Sequence, residues 1–228
     1  MEKDQVTLQH LGVIADGNRR WAKEHNLPKI EGHKKGLETI EVLVGAAAKV
    51  GIPYITFYVF STENWGREKA EVNYIMKLAE TKILEMAEKM AAHNIKLLIL
   101  GSRGKVNPTL TSLAEKAEKI TADCKGTTVC FCFNYGGEQE IADAANIALE
   151  TDGEVTPETI RKHLYHPEIP DLDIVVRTSG EERLSGFMLW RAAYAELMFM
   201  EKYFPEMEAE DIKMILAEYE SRNRRFGK

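Results

Sequence analysis

Short apolar runs rich in β-branched residues alternate along this chain with longer segments of helical periodicity, and few architectures accept that rhythm. Strands are expected at Leu11–Ala15, Tyr54–Phe60, Ile95–Leu100, Thr127–Phe133, Asp173–Arg177 and Glu196–Met200. Helices are expected at 33–50, 70–93, 107–122, 137–149, 157–164 and 208–224. Nearly continuous apolar strands joined by crossover helices predict an α/β protein with a mainly parallel six-stranded sheet, flanked by helices on both faces. Boundary residues agree. Gly51-Ile52-Pro53 stops one helix, and Asn107-Pro108 and Thr156-Pro157 each place a cap before a first-turn proline. No linker, repeat or low-complexity tract divides residues 1–228, so one domain is expected.

The charge balance narrows the partners. A net charge of −6 disfavours nucleic acid, which is bound by basic surfaces. Positive charge is instead local. Arg19, Arg20, Lys23, Lys29, Lys34 and Lys35 outnumber Asp16, Glu24 and Glu31 within residues 16–35, which suits a small anion better than a polyanion. Cys124, Cys130 and Cys132 form no C-x-x-C pair, and the last two alternate with Phe131 and Phe133 as buried thiols would. No apolar run approaches the ~18 residues of a membrane span, and the polar, acidic N-terminus does not read as a signal peptide. A cytoplasmic protein is expected.

In an open α/β sheet the ligand lies at the carboxyl ends of the strands. After the first strand come Asp16-Gly17-Asn18-Arg19-Arg20, where a lone carboxylate meets a tight turn and a helix that opens on two arginines. That arrangement offers backbone N–H groups and guanidinium forks to a phosphate, while Asp16 is a donor for a hard cation such as Mg²⁺. An Asx-turn with solvated arginines would produce the same residues. After the second strand, Ser61 to Arg67 pack hydroxyl, carboxylate, amide, indole and guanidinium groups into seven residues. Asn64 and Ser61 there are candidates for hydrogen bonding or proton relay. After the fifth strand, Arg177, Arg183 and Ser185 could grip a diphosphate, or the arginines could pair with Glu181 and Glu182. His33, in Gly32-His33-Lys34-Lys35-Gly36, is read as opening the second helix within reach of the same anion. Along 70–93, Val72, Ile75, Met76, Ala79, Ile83, Met86, Ala87 and Met90 form one apolar stripe, either a core face or the wall of an apolar tunnel.

Taken together, these blocks resemble the cis-prenyltransferases, the family of the undecaprenyl and dehydrodolichyl diphosphate synthases. The resemblance is carried by His10 through Ala22, Gly32-His33, Phe60-Ser61-Thr62-Glu63-Asn64-Trp65-x-Arg67 and Asn134-Tyr135-Gly136-Gly137. It continues through Asp171-x-Asp173-x-x-x-Arg177-Thr178-Ser179-Gly180-Glu181-x-Arg183-x-Ser185 and Arg222-x-Arg224-Arg225-Phe226-Gly227. It implies an enzyme that condenses isopentenyl diphosphate with an allylic diphosphate (C5, C10 or C15) into a Z-configured polyprenyl diphosphate. By position, it implies that Asp16 binds Mg²⁺ and helps the allylic diphosphate leave. Gly17, Asn18, Arg19, Arg20, Lys29 and His33 would surround that diphosphate. Ser61, Glu63, Asn64, Trp65 and Arg67 would form a mobile loop, with Asn64 a candidate for proton removal. Arg177, Arg183 and Ser185 would bind isopentenyl diphosphate, and Trp21, Thr62 and Leu184 would add substrate contacts. Glu196 matches a second metal-associated carboxylate near a subunit interface. The resemblance also implies a homodimer and peripheral membrane contact through the product.

Departures bear on specificity. Ala15 stands where Met is usual, Lys29 where Arg is usual, Glu138 where Arg is frequent and Gly186 where Asn is common. Val59 and Phe133 occupy positions where long-chain relatives carry smaller residues, which implies a narrowed tunnel and a short or medium product. Alternatives are a branching or cyclising condensation of allylic diphosphates, and an inactive regulatory subunit. The second would be expected to lack Asp16 or the loop residues, and this chain keeps both.

Overall fold

The computed structural model describes residues 8–222 apart from 103 and 105. Of the C-terminal motif, Arg222 is therefore described, and residues 224–227 lie outside the described residues.

Six parallel strands form one sheet: β1 (His10–Ile14), β2 (Tyr54–Ser61), β3 (Lys96–Leu100), β4 (Thr128–Tyr135), β5 (Ile174–Arg177) and β6 (Glu196–Phe199). Their spatial order is β3-β4-β2-β1-β5-β6, with every adjacent pair parallel. β1 and β5 are buried along their whole length, as strands covered on both faces must be. Helices α1 (Asn18–Glu24), α2 (Lys29–Val50), α3 (Lys69–Ala92), α4 (Pro108–Ile120), α5 (Gly137–Thr151), α6 (Pro157–His163) and α7 (Ala209–Ser221) complete the α/β domain. Both Asn107 and Thr156 cap their helices through the side chain, bonding the backbone N–H of Leu110 and Thr159.

The core is divided by the sheet. One cluster joins Val13, Phe57 and Phe131 to Leu43 of α2, Met86 of α3 and Ile215 of α7. The other face carries Tyr58, Leu172, Phe187 and Met188. A third group, Phe60, Val72, Ile75, Met76 and Leu110, fills the space beneath the loop that follows β2.

One boundary differs from expectation. α2 begins at Lys29, so His33 lies inside the helix rather than opening it. Two glycines of this helix serve packing. A Cβ on Gly32 would lie 2.0 Å from the Asn18 carbonyl oxygen, and one on Gly36 would lie 2.7 Å from Asn18 Oδ1. The close seat of α1 on α2 outweighs glycine's poor helix propensity.

Strand order also fixes where chemistry can occur. The chain leaves β1 toward β2 on one side and returns to β5 on the other, so the topological switch point lies between β1 and β5.

Candidate active site

Register places Arg177 directly beside Ile14, so the last residue of β5 faces the turn that follows β1. Arg177 is buried, and its Nη2 donates to Asp16 Oδ2 at 2.9 Å. Its Nη1 donates to Ser185 Oγ at 2.8 Å and to the Arg183 carbonyl. The other Asp16 oxygen accepts from the Gly17 N–H at 2.7 Å and pairs with Arg20 at 3.2 Å. Burial pushes the Asp16 carboxyl up, but the Arg177 hydrogen bond and charge, the Gly17 N–H and Arg20 outweigh it and hold the pKa below its ordinary value. Gly17 supplies the left-handed φ of +100° that turns the chain into α1. Thr178 fastens the same turn: its hydroxyl donates to the Asp16 carbonyl and accepts the Asp16 N–H.

A second charged cluster faces the first. Glu71, on the first turn of α3, is buried beneath two guanidinium groups and an imidazole. His33 Nε2 and Arg67 Nη1 each lie 3.0 Å from its Oε1, and Arg19 lies 3.8 Å from its Oε2. Burial raises the Glu71 pKa, and the His33 hydrogen bond and Arg67 charge overturn that shift and lower it. Burial lowers the His33 pKa, with Arg67 and Arg19 adding to the shift and Glu71 opposing it. Glu181 bridges Arg20 and Arg183, so the surface pairing foreseen for Arg183 is present.

The segment after β2 forms a 3₁₀ turn, Thr62–Gly66, closed by a capping box between Ser61 and Asn64. Asn64 Oδ1 accepts the Ser61 N–H at 3.3 Å, and the Trp65 indole donates to Asn134 Oδ1 at 2.7 Å.

These groups border one cleft of about 970 Å³. Of the residues singled out in the sequence, it brings together Asp16, Gly17, Asn18, Arg19, Arg20, Lys29, His33, Ser61, Asn64, Arg67, Arg177, Arg183 and Ser185. Trp21, Thr62, Glu63, Trp65 and Leu184 are not on its lining. Trp21 stacks on His25, and Leu184 packs beside the Tyr58–Phe187 cluster. Glu196 is not brought to Asp16. It pairs in register with Ile174, at the opposite end of β5 from Arg177, and forms an ion pair with Arg222 at 3.2 Å. Among the described residues, no group of three or more His, Cys, Asp or Glu side chains could hold a metal. A shared Asp16–Glu196 metal site within one chain is therefore not formed.

Glu71, Thr178 and Tyr58 were not assigned roles from the sequence. The signal for Glu71 was its spacing of four residues after Arg67, which puts both on one side of the helix start. Tyr58 had only its period-two position on β2.

Four buried polar atoms among the described residues lack a hydrogen-bond partner: Asn18 Oδ1, Glu71 Oε2, Arg177 Nε and Ser179 Oγ. Such atoms are scarce in folded proteins, and all four belong to the residues that form or directly back this cleft. Next to it lies an apolar cavity of about 180 Å³ between the sheet and α2, α3 and α4. Ala15, Asn18, His33 and Val59 border both spaces. Ile75, Ala79, Ile83 and Met86 of the α3 stripe line the cavity, so that stripe is both core face and cavity wall.

The family described as "Putative undecaprenyl diphosphate synthase" matches residues 14–227. The chain belongs to this family. It is 39% identical to an isoprenyl transferase of Rickettsia bellii over 98% of this chain and 99% of that one. It is 40% identical to an isoprenyl transferase of Neisseria meningitidis serogroup B over 96% and 89% of the two chains. A lavandulyl diphosphate synthase from Lavandula x intermedia, solved with dimethylallyl diphosphate, superposes with a TM-score of 0.93 at 29% identity over 99% of this chain and all of that one. A probable undecaprenyl diphosphate synthase from Campylobacter jejuni gives 0.84 at 30% identity over 98% and 100%. As a member of the undecaprenyl diphosphate synthase family, the protein is an isoprenyl transferase. No described helix is long and apolar enough to cross a membrane.

Proposed function

We propose that this isoprenyl transferase condenses isopentenyl diphosphate with an allylic diphosphate to give a Z-configured polyprenyl diphosphate of short or medium length. The observation that carries the reading is the Asp16 carboxylate held by Arg177 and Arg20 at the switch point, in a cationic cleft that adjoins an apolar cavity. A diphosphate needs the first environment and a prenyl chain needs the second.

Bond making requires an allylic C–O bond to break, a C–C bond to form and a proton to leave the product. Charge gathers on the departing diphosphate. Arg19, Arg20, Lys29 and Arg177 supply fixed donors to that charge, which is electrostatic catalysis. Arg183 and Ser185 offer a second set beside Arg177, for the other diphosphate. Asn64 stands on the turn that borders the cleft, where its amide can orient the departing proton toward a diphosphate oxygen. Neutral His33 retains one nitrogen acceptor, and it becomes a stronger anion ligand on protonation.

The donor set fits Mg²⁺ in one form. One ionised carboxylate suits an octahedral cation that takes its remaining ligands from phosphate oxygens and water. Asp16 would hold it. Bound there, Mg²⁺ would neutralise diphosphate charge as a Lewis acid.

The cavity supports the length assignment. A cavity of ~150 Å³ lined by Leu, Ile and Phe accepts benzene, so about 180 Å³ has room for only a few carbons before the walls must move. Val59 and Phe133 both line it.

A second reading, condensation of two allylic diphosphates, is favoured by the fold match to the lavandulyl diphosphate synthase solved with dimethylallyl diphosphate. Incubation with labelled isopentenyl diphosphate, Mg²⁺ and C5, C10 and C15 starters in turn, with product masses measured, separates the readings. Label in every product supports the first. Product formed from the allylic substrate alone, with no label incorporated, supports the second. A C50–C55 main product overturns the length assignment. Sedimentation tests the homodimer, which we propose from family resemblance.

A further inference from the structure

We propose that Asn134 is a positioning residue for prenyl transfer. It ties the Trp65 indole and the turn after β3 into one hydrogen-bonded knot, so the loop bearing Ser61, Asn64 and Arg67 keeps a fixed relation to the rim of the apolar cavity. The proposal rests on the prenyl-transfer reading given above.

Asn134 is the penultimate residue of β4, 2% exposed, with a left-handed φ of +50°. Asparagine tolerates that conformation better than most residues. Its carboxamide serves two segments at once. Oδ1 accepts from Trp65 Nε1 at 2.7 Å, while Nδ2 donates to the carbonyls of Ser102 and of Gly104. Its own carbonyl accepts the Ser102 N–H at 3.1 Å. One acceptor and two donors at this reach is the inventory of an asparagine; aspartate supplies no donor and leucine supplies neither.

The two tied segments border different spaces: Ser61, Asn64 and Arg67 of the Trp65 loop line the cleft, and the turn after β3 borders the apolar cavity. Gly101 and Ser102 line it, and Gly101 passes so close to β4 that a Cβ would lie 1.9 Å from the Phe133 carbonyl oxygen. Phe133, the residue before Asn134, stacks on Phe60 at 5.4 Å, and Phe60 meets the Trp65 ring edge-on at 5.3 Å. Polar and aromatic contacts thus hold the same indole from two sides. Trp65 is absent from the cleft lining, while its neighbours Asn64 and Arg67 are on it. The indole is the anchor of the loop, and Asn134 is what it is anchored to.

The test uses Trp65→Phe, Asn134→Leu and Asn134→Asp singly, and the first two together. Trp65→Phe keeps a ring against Phe60 and removes only the N–H, so it leaves the backbone at Asn134 undisturbed should the Asn134 variants fail to fold. Turnover with isopentenyl diphosphate and an allylic starter is measured alongside hydrogen exchange of peptides spanning 61–67 and containing Ser102. Loss of the Trp65–Asn134 bond is expected to lower kcat by roughly five- to a hundredfold in Trp65→Phe and in Asn134→Leu, with the KM for the allylic diphosphate unchanged, because its charge sites at Asp16 and Arg20 are not touched; Asn134→Asp keeps that bond and loses only the donors to Ser102 and Gly104. The Trp65→Phe, Asn134→Leu pair should be no slower than the slower single variant. Exchange should rise at 61–67 in Trp65→Phe and Asn134→Leu, and around Ser102 only in the Asn134 variants. Multiplicative losses in the double variant, or unchanged exchange at 61–67 in Trp65→Phe, would overturn the proposal. Wild-type protein that forms no prenyl product would refute the functional reading instead, and the exchange measurements would still judge the knot.

Discussion

Arg177→Met tests the centre of the site. Methionine approximates the buried volume of the arginine but removes its donors to Asp16 Oδ2, Ser185 Oγ and the Arg183 carbonyl. Breaking a fully buried ion pair costs about 3–5 kcal/mol. Asp16 retains 29% side-chain exposure, so water recovers part of that, and about 2–4 kcal/mol is expected. At about 2–4 °C per kcal/mol for a chain of this size, Tm should fall by about 5–15 °C at pH 7. The pH dependence is more discriminating. In the wild type the Asp16 pKa is depressed, so its stabilising contribution is present above the unfolded-state value near 4 and is lost as pH falls through the folded value. Without Arg177, the upward push of burial is opposed only by Gly17 and Arg20, and the folded pKa rises toward or past the unfolded one. The Tm gap between wild type and variant should therefore shrink as pH is lowered through the unfolded-state value near 4 and below it, as followed by differential scanning calorimetry. Arg177→Lys should restore much of the pH dependence but not the forked contacts. A gap that stays constant across that range would refute the argument that Arg177 holds the carboxylate charged.

Three further outcomes follow from the geometry. Glu181→Gln frees Arg20 and Arg183 from their shared carboxylate and should tighten binding of inorganic diphosphate by about two- to tenfold at low salt, fading as salt rises; weaker binding by calorimetry would contradict this. Within α2, Gly32→Ala and Gly45→Ala should have opposite signs. The first drives a Cβ into the Asn18 carbonyl and should lose about 1–2 kcal/mol, whereas the second meets nothing within 4 Å and should gain about 0.5–1 kcal/mol; urea melts decide it. Val59→Ala combined with Phe133→Ala should lengthen the product by one or more isoprene units, because each unit buries five carbons worth roughly 3–4 kcal/mol once the wall permits it. Unchanged product masses would show that these side chains do not limit growth.

Much of the fold was legible because parallel strands buried on both faces write themselves as uninterrupted apolar runs. All six fall within a residue or two of the expected positions. The ionic half of the site was legible too, since the residues that follow strand ends in such a sheet must meet at the switch point. What escaped was tertiary. The second helix begins at 29 instead of the expected 33, and the purpose of Gly32 and Gly36, the approach of Asn18, lies on another helix. Glu71 drew no reading because the groups above it come from α1, α2 and the residue that follows the 3₁₀ turn. Trp65 and Asn134 were both noticed, 69 residues apart, with nothing local to reveal that they bond. Glu196 is a different case. Its placement came from resemblance, while register puts it at the far end of its strand in this chain.

The strand order separates two kinds of demand. Asp16 and Arg177 hang from β1 and β5, neighbours at the middle of the sheet, while most of the apolar wall is drawn from β2, β3 and β4 with α2, α3 and α4, and Ala15, Asn18, His33 and Val59 are shared by both. Residues on that outer arm can be enlarged or trimmed without moving the carboxylate or the guanidinium beside it. A lineage built on this scaffold is thus free to vary how much chain it holds while the electrostatic apparatus that makes each bond stays where it is.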